Sequence, residues 1–179
     1  LASATETLVA EGARRAGSIK EIASHCETVF LSLPGPAQIK AVVLEEDGLL
    51  SNKGKLKTIV DLSTNAIALN RDIATQALKI GIDYLDAPVT GGKIAAQDGN
   101  LAVMVGGNEM AFNATRPLIE KFGKNIFYLG PAGAGTLAKL VNNQIFLSAS
   151  VLIQEGFVMG AKAGMDPTEL MNVLKVSSA

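Results

Sequence analysis

Little in this sequence invites metal or disulfide chemistry. It has one cysteine, Cys26, and one histidine, His25. No internal disulfide framework is available, and no His/Cys/Asp group stands at metal-ligand spacing. His25, beside Cys26 and just before an apolar run, has a surface or packing role. Charge is scarce as well, at 18% of residues with a formal net charge of −1. A nucleic-acid binder carries a basic footprint, and the densest basic cluster here is only Arg14-Arg15. There is no G-x-S-x-G nucleophile elbow, no Walker loop and no G-x-G-x-x-G after a strand. No signal peptide is visible. The longest unbroken run of apolar or small residues, Ile145 to Ile153, is too short to cross a bilayer. These absences point to a reducing compartment, the cytoplasm or a mitochondrial matrix, and to no membrane or nucleic-acid partner.

What the chain does have is apolar residues, 48% of its 179 positions. That suffices for a core in one domain and part of a second. Up to about residue 131 two periods alternate. "TETLVAEGA" is helical, and "SIKEIASHC" opens with a serine cap followed three residues later by glutamate. "TVFLSLP" then reads as a strand buried on both faces. The cycle repeats, with helical "AQIKAVVLEE", "NAIALNRDIATQALKIG" and "EMAFNATRPLIEKFG" between strands "TIVDLS", "IDYLDAPV", "LAVMVGG" and "KNIFYLG". Strands joined by helical crossovers predict a doubly wound α/β fold with a mainly parallel, Rossmann-type sheet.

After Pro131 the alternation stops. Helical pattern runs from about Ala134 to Ala163, interrupted at Gly156 and Gly160 and closed by Gly164. "DPTELMNVLK" follows, with aspartate as N-cap and proline at the first helical position. The expected organisation is a cofactor-type domain over 1–131 and the start of an all-helical domain over 132–179. The chain opens at Leu1 in mid-helix pattern and closes on "VLKVSSA" without a stop signal. It is expected to be a fragment lacking both ends.

Four stretches could carry chemistry, each with a plainer reading beside it. "SLPG" leaves a strand at its carboxyl end, where open α/β sheets bind ligands, though a proline-glycine turn does the same. In "DLST" a hydroxyl of Ser63 or Thr64 could meet a ligand or cap the next helix. "DAPVTGG" offers the Thr90 hydroxyl and, at Gly91 and Gly92, backbone N–H groups open to an anion; a flexible turn is the alternative. In "GAGTLAKLVNNQ", Gly133 and Gly135 allow a close backbone approach at a helix entrance. Lys139 and Asn143, at i and i+4, share a helix face. Lys139 could donate a proton, or merely rest its stem on apolar surface with its head in water.

Taken in order, "SLPG", "DLST", "DAPVTGG" with "AAQDGNLAVMVGG", and "GAGTLAKLVNNQ" resemble the β-hydroxyacid dehydrogenases, which include 3-hydroxyisobutyrate dehydrogenase and tartronate semialdehyde reductase. The later "QEGFVMGAKAGMD" is similar to that family's helical domain, so the resemblance spans nearly the whole chain. It implies Lys139 as catalytic lysine and Asn143 as the group that orients substrate. It implies Thr90, Gly91 and Gly92 as the carboxylate loop, and Leu33, Pro34 and Thr64 as lining for a nicotinamide cofactor, NAD or NADP. The implied reaction is reversible hydride transfer between a short β-hydroxy acid and its semialdehyde. Apolar helix surface, with too little of its own domain to cover it, suggests a homo-oligomer (dimer or tetramer). Thr90 stands where the family usually has serine, and Gln38 where some members have a cofactor-contacting asparagine. The glycine-rich amino-terminal segment of the family is not matched. 6-Phosphogluconate dehydrogenase would want a basic cluster that this portion lacks, and imine reductases generally lack the lysine. A non-catalytic cofactor-binding or scaffold homologue is the alternative of a different class.

Overall fold

The computed structural model describes residues 2–177, with side chains from residue 5 onward. Leu1 and the last two residues, where the expectation of truncated ends rests, lie outside them.

Helix α1 (Ala2–Ala10) is followed by α2 (Ile19–His25). Ser18 caps α2 by accepting the Glu21 N–H, while the Glu21 carboxylate accepts the Gly17 N–H at 2.8 Å. Three parallel strands, β1 (Thr28–Leu31), β2 (Thr58–Asp61) and β3 (Asp83–Asp86), form a sheet in that order, with Thr28 opposite Thr58 and Thr58 opposite Asp83. Helices α3 (Pro36–Leu44) and α4 (Ile67–Lys79) make the crossovers.

Both faces of this sheet are covered, and the pleat shows it. Ile59 and Tyr84 point into one apolar cluster with Ile39, Val43 and Ile73, while their neighbours Val60 and Leu85 point into another with Val103, Phe112 and Ile119. Alternate residues therefore serve opposite cores, which is why these strands read as unbroken apolar runs. Each fully buried branched aliphatic contributes about 1.5–3 kcal/mol of apolar transfer.

Beyond β3 the order changes. The run "IDYLDAPV", expected as one strand, breaks at Ala87-Pro88, because proline has no N–H for a ladder. Its far end is β4 (Val89–Thr90), which pairs antiparallel with β5 (Leu101–Val105). Parallel pairing returns between β5 and β6 (Gly123–Tyr128), linked by α6 (Glu109–Ile119). Asp86 and Gly106 exchange N–H···O bonds of 3.0 and 2.8 Å and stitch the two sheets together. A short helix, α5 (Gly92–Gln97), follows "DAPVTGG", where the sequence reading assigned no element. Its pattern was hidden because six residues are too few to show a period.

The last sheet element leads to α7 (Ala134–Lys162) and α8 (Pro167–Leu174). By packing, one compact unit runs through Lys139 and a second begins at Leu140. The division falls beyond residue 131 because the first turn of α7 is bonded into the sheet unit, as described below. Within the second unit, α7 passes through Gly156 and Gly160 without a break. At Gly160 a Cβ would lie 2.7 Å from Leu170 Cδ2, so glycine there admits α8. Asp166 caps α8, accepting the N–H groups of Thr168 and Glu169 at 2.8 and 3.1 Å. By length and composition α7 is long and apolar enough to cross a membrane. Counting only the unbroken apolar run missed this, since uncharged polar residues and glycines interrupt the run without making the helix hydrophilic.

Candidate active site

The carboxyl ends of β1 and β2 open onto a cleft of about 500 Å³. Ser32 follows β1 and Leu62 follows β2, and both line it. Thr90, Gly91 and Gly92 form a second side and Lys139 a third. The sequence-expected carboxylate loop and the expected catalytic lysine thus share one cavity. Val89, Ala96 and Leu101 supply apolar wall.

The loop's shape follows from its glycines. Gly91 and Gly92 have φ of +127° and +70°, a region open mainly to glycine. At Gly91 a Cβ would also sit 2.7 Å from the Ala95 Cβ, whereas nothing lies within 4 Å of one at Gly92. Thr90 is held by its pairing with Ala102, and its hydroxyl bonds to no described residue. It is available to a ligand.

Lys139 lies one turn beyond a strongly fixed helix start. Buried Asp86, at the end of β3, accepts the Gly133 N–H on Oδ1 at 2.6 Å and the Thr136 N–H on Oδ2 at 2.7 Å. A carboxylate from elsewhere in the chain therefore satisfies N–H groups that the helix cannot bond internally. Burial raises the Asp86 pKa above its ordinary value, partly offset by these donors. On another side, Asn70 donates to the Thr136 hydroxyl at 2.6 Å. Gly135 is packed so closely that a Cβ would strike the Met104 carbonyl oxygen and stand 2.5 Å from that of Asp86. The close approach at Gly135 is thus made to the backbone of β3 and β5, whereas a Cβ at Gly133 would stand 3.0 Å from Ile67 Cγ2 on α4. Asp86, Asn70 and Thr136 were missed by sequence reasoning. An aspartate ending a buried strand was the available signal, since a buried carboxylate needs partners.

A second buried group braces the β1 and β2 ends. Asp61 Oδ1 accepts the Ser63 N–H at 2.9 Å, and Ser63 Oγ accepts the Leu33 N–H at 2.8 Å. The Tyr84 hydroxyl lies 2.8 Å from Asp61 Oδ2 and 2.9 Å from Asn70 Oδ1. Burial raises the pKa of both Asp61 and Tyr84.

Lys139 itself is half-buried, with no ion pair or hydrogen bond among the described residues. Desolvation lowers its pKa from the usual lysine value, which brings proton exchange closer to neutrality. Leu33, Pro34 and Thr64 stand beside the cleft residues Ser32 and Leu62 in the chain, Leu33 half-buried and the other two exposed. Asn143 falls in the second unit, half-buried, its Oδ1 accepting from Asn142 at 3.3 Å.

A family model described as the NAD binding domain of 6-phosphogluconate dehydrogenase matches residues 1–130. One described as NAD-binding of NADP-dependent 3-hydroxyisobutyrate dehydrogenase matches residues 133–179. The chain is 37% identical over 171 residues to 3-hydroxyisobutyrate dehydrogenase of Pseudomonas aeruginosa, covering 96% of this chain and 57% of that one. It is 35% identical over 170 residues to 2-hydroxy-3-oxopropionate reductase of Escherichia coli, covering 94% and 58%. Among solved structures, 3-hydroxyisobutyrate dehydrogenase of Mycobacterium tuberculosis with L-serine superposes with a TM-score of 0.86 at 29% identity, over 99% of this chain and 60% of that one. The chain therefore spans less than two thirds of the length of each relative.

Proposed function

The chain belongs to the β-hydroxyacid dehydrogenase family, and from that premise we propose that the full-length protein oxidises a short β-hydroxy acid reversibly to its semialdehyde with NAD or NADP. What carries this is one observation: Lys139 and the Thr90-Gly91-Gly92 loop line the same cleft at the carboxyl ends of the parallel strands.

Leu33, Pro34 and Thr64 would hold a nicotinamide cofactor, which when bound would supply the hydride transfer. The Thr90 hydroxyl and the N–H groups of Gly91 and Gly92 hold the substrate carboxylate and so fix which substrate carbon is presented for reaction. In oxidation, neutral Lys139 accepts the substrate's hydroxyl proton at Nζ as the carbonyl forms. In reduction, protonated Lys139 stabilises the developing alkoxide and returns the proton. On sequence spacing we assign Asn143 to orienting the same oxygen. The role of Asp86 is to keep the helix start, and with it Lys139, in place.

In the second unit, Ile145, Phe146, Leu152 and Met159 are 66, 66, 67 and 72% exposed. Apolar surface of this kind calls for cover by more protein, which supports a homo-oligomer. The deciding experiment follows cofactor absorbance of the full-length protein with a panel of short hydroxy acids and semialdehydes. Turnover of β-hydroxy acids is the expected result. Silence across the panel with cofactor bound would favour a non-catalytic homologue.

A further inference from the structure

Resting on the dehydrogenase reading above, we infer that Lys93 is a specificity-determining residue that selects substrates carrying a second anionic group, a β-hydroxy diacid rather than a simple monoacid. Among the described residues two cations, Lys93 and Lys139, line the cleft, and no carboxylate does. Its acceptor-binding groups are already divided. Thr90, Gly91 and Gly92 suit one carboxylate, and Lys139 faces the reacting oxygen. Lys93 is left over.

It is also left unbalanced. The ion pairs among the described residues join Arg14 to Glu21, Lys57 to Glu27 and Arg116 to Glu120, and none involves Lys93. Lys93 directly follows the glycine pair, on the first turn of α5, so it is tied to the same loop that grips the first carboxylate. Between the loop and the strand ends, Leu62, Val89 and Leu101 provide wall for a short carbon skeleton. A diacid bound with one end on the loop meets a second cation within the cavity. A monoacid leaves that ammonium to water.

The test uses the full-length protein, with a β-hydroxy monoacid and a β-hydroxy diacid of similar carbon skeleton as probes. Wild type is expected to show the higher kcat/KM for the diacid. In Lys93→Ala the diacid-to-monoacid ratio of kcat/KM should fall at least about tenfold, the scale of one lost charge-assisted hydrogen bond. Lys93→Glu should lower it further, while Lys93→Arg keeps it. A ratio unmoved by Lys93→Ala, or a change confined to the KM for cofactor, would overturn the assignment while leaving the dehydrogenase reading intact. If wild type itself turns over neither acid with cofactor bound, the failure lies in the dehydrogenase reading, and the selection by Lys93 falls with it.

Discussion

Asp86 and Thr136, fifty positions apart in the chain, are joined by a 2.7 Å hydrogen bond from the Thr136 N–H to the Asp86 carboxylate. The same carboxylate takes the Gly133 N–H, so a single buried side chain seats the beginning of the helix that carries Lys139.

Removing that side chain should be costly. Asp86→Ala loses two charge-assisted bonds and strands two N–H groups, a loss of about 3 kcal/mol or more. Asp86→Asn keeps one acceptor and should recover part of it. Urea unfolding of the two variants measures this, and an Asp86→Ala midpoint equal to wild type would show that the bonds contribute nothing.

Two glycines on α7 should respond in opposite directions to alanine. At Gly135 the added methyl meets backbone from two strands, and overpacking of this kind costs about 1–3 kcal/mol or more. At Gly156 nothing lies within 4 Å, so alanine should stabilise by about 0.5–1 kcal/mol through helix propensity. Thermal melts of both variants decide, and equal effects would contradict the packing described at Gly135.

Lys139→Ala in the full-length protein should lower kcat by about two orders of magnitude or more while cofactor still binds. Turnover near the wild-type rate would reject Lys139 as the proton-transfer group.

The pH dependence of the reaction follows from the same lysine. Burial lowers its pKa below the ordinary 10.5. Oxidation needs the neutral amine, so its kcat/KM should rise with pH through that lowered value, whereas reduction should fall. Parallel pH profiles in the two directions would be incompatible with Lys139 serving both.

Asp61 makes a separate case. The Tyr84 hydroxyl faces two acceptors with one proton to give, and Asn65 donates to Asn70 Oδ1 at 2.5 Å, so that atom is an acceptor too. A proton on Asp61 resolves this, passing the bond from Asp61 to Tyr84 to Asn70. The raised pKa of Asp61 means that its protonated form favours the fold: this stability is complete below the unfolded value near 3.8 and is lost as pH rises through the folded pKa. Asp61→Asn preserves an acceptor for Ser63 and a donor for Tyr84. Its stability relative to wild type should therefore improve as pH climbs through that window. A difference constant with pH would count against a protonated Asp61.

The strands and crossover helices of the first sheet were legible because a strand buried on both faces has an unmistakable composition. So were the caps at Ser18 and Asp166, which act on N–H groups two or three residues away. The antiparallel β4 was not, since pairing direction depends on partners distant in sequence. Nor was the Asp86–Thr136 contact. "DAPVTGG" drew attention to its glycines and threonine, yet its first residue organises the helix start. Local spacing reveals what a residue can do to its neighbours, and Asp86 acts on residues that only the fold brings near.

The seating of α7 on Asp86 also bears on where the polypeptide can be cut. A recombinant sheet domain ended at residue 131 would discard Gly133 and Thr136 and strand an anion in its interior. Carrying the expression boundary through Lys139 keeps both donors, so the smallest independently produced version should include that extra helical turn.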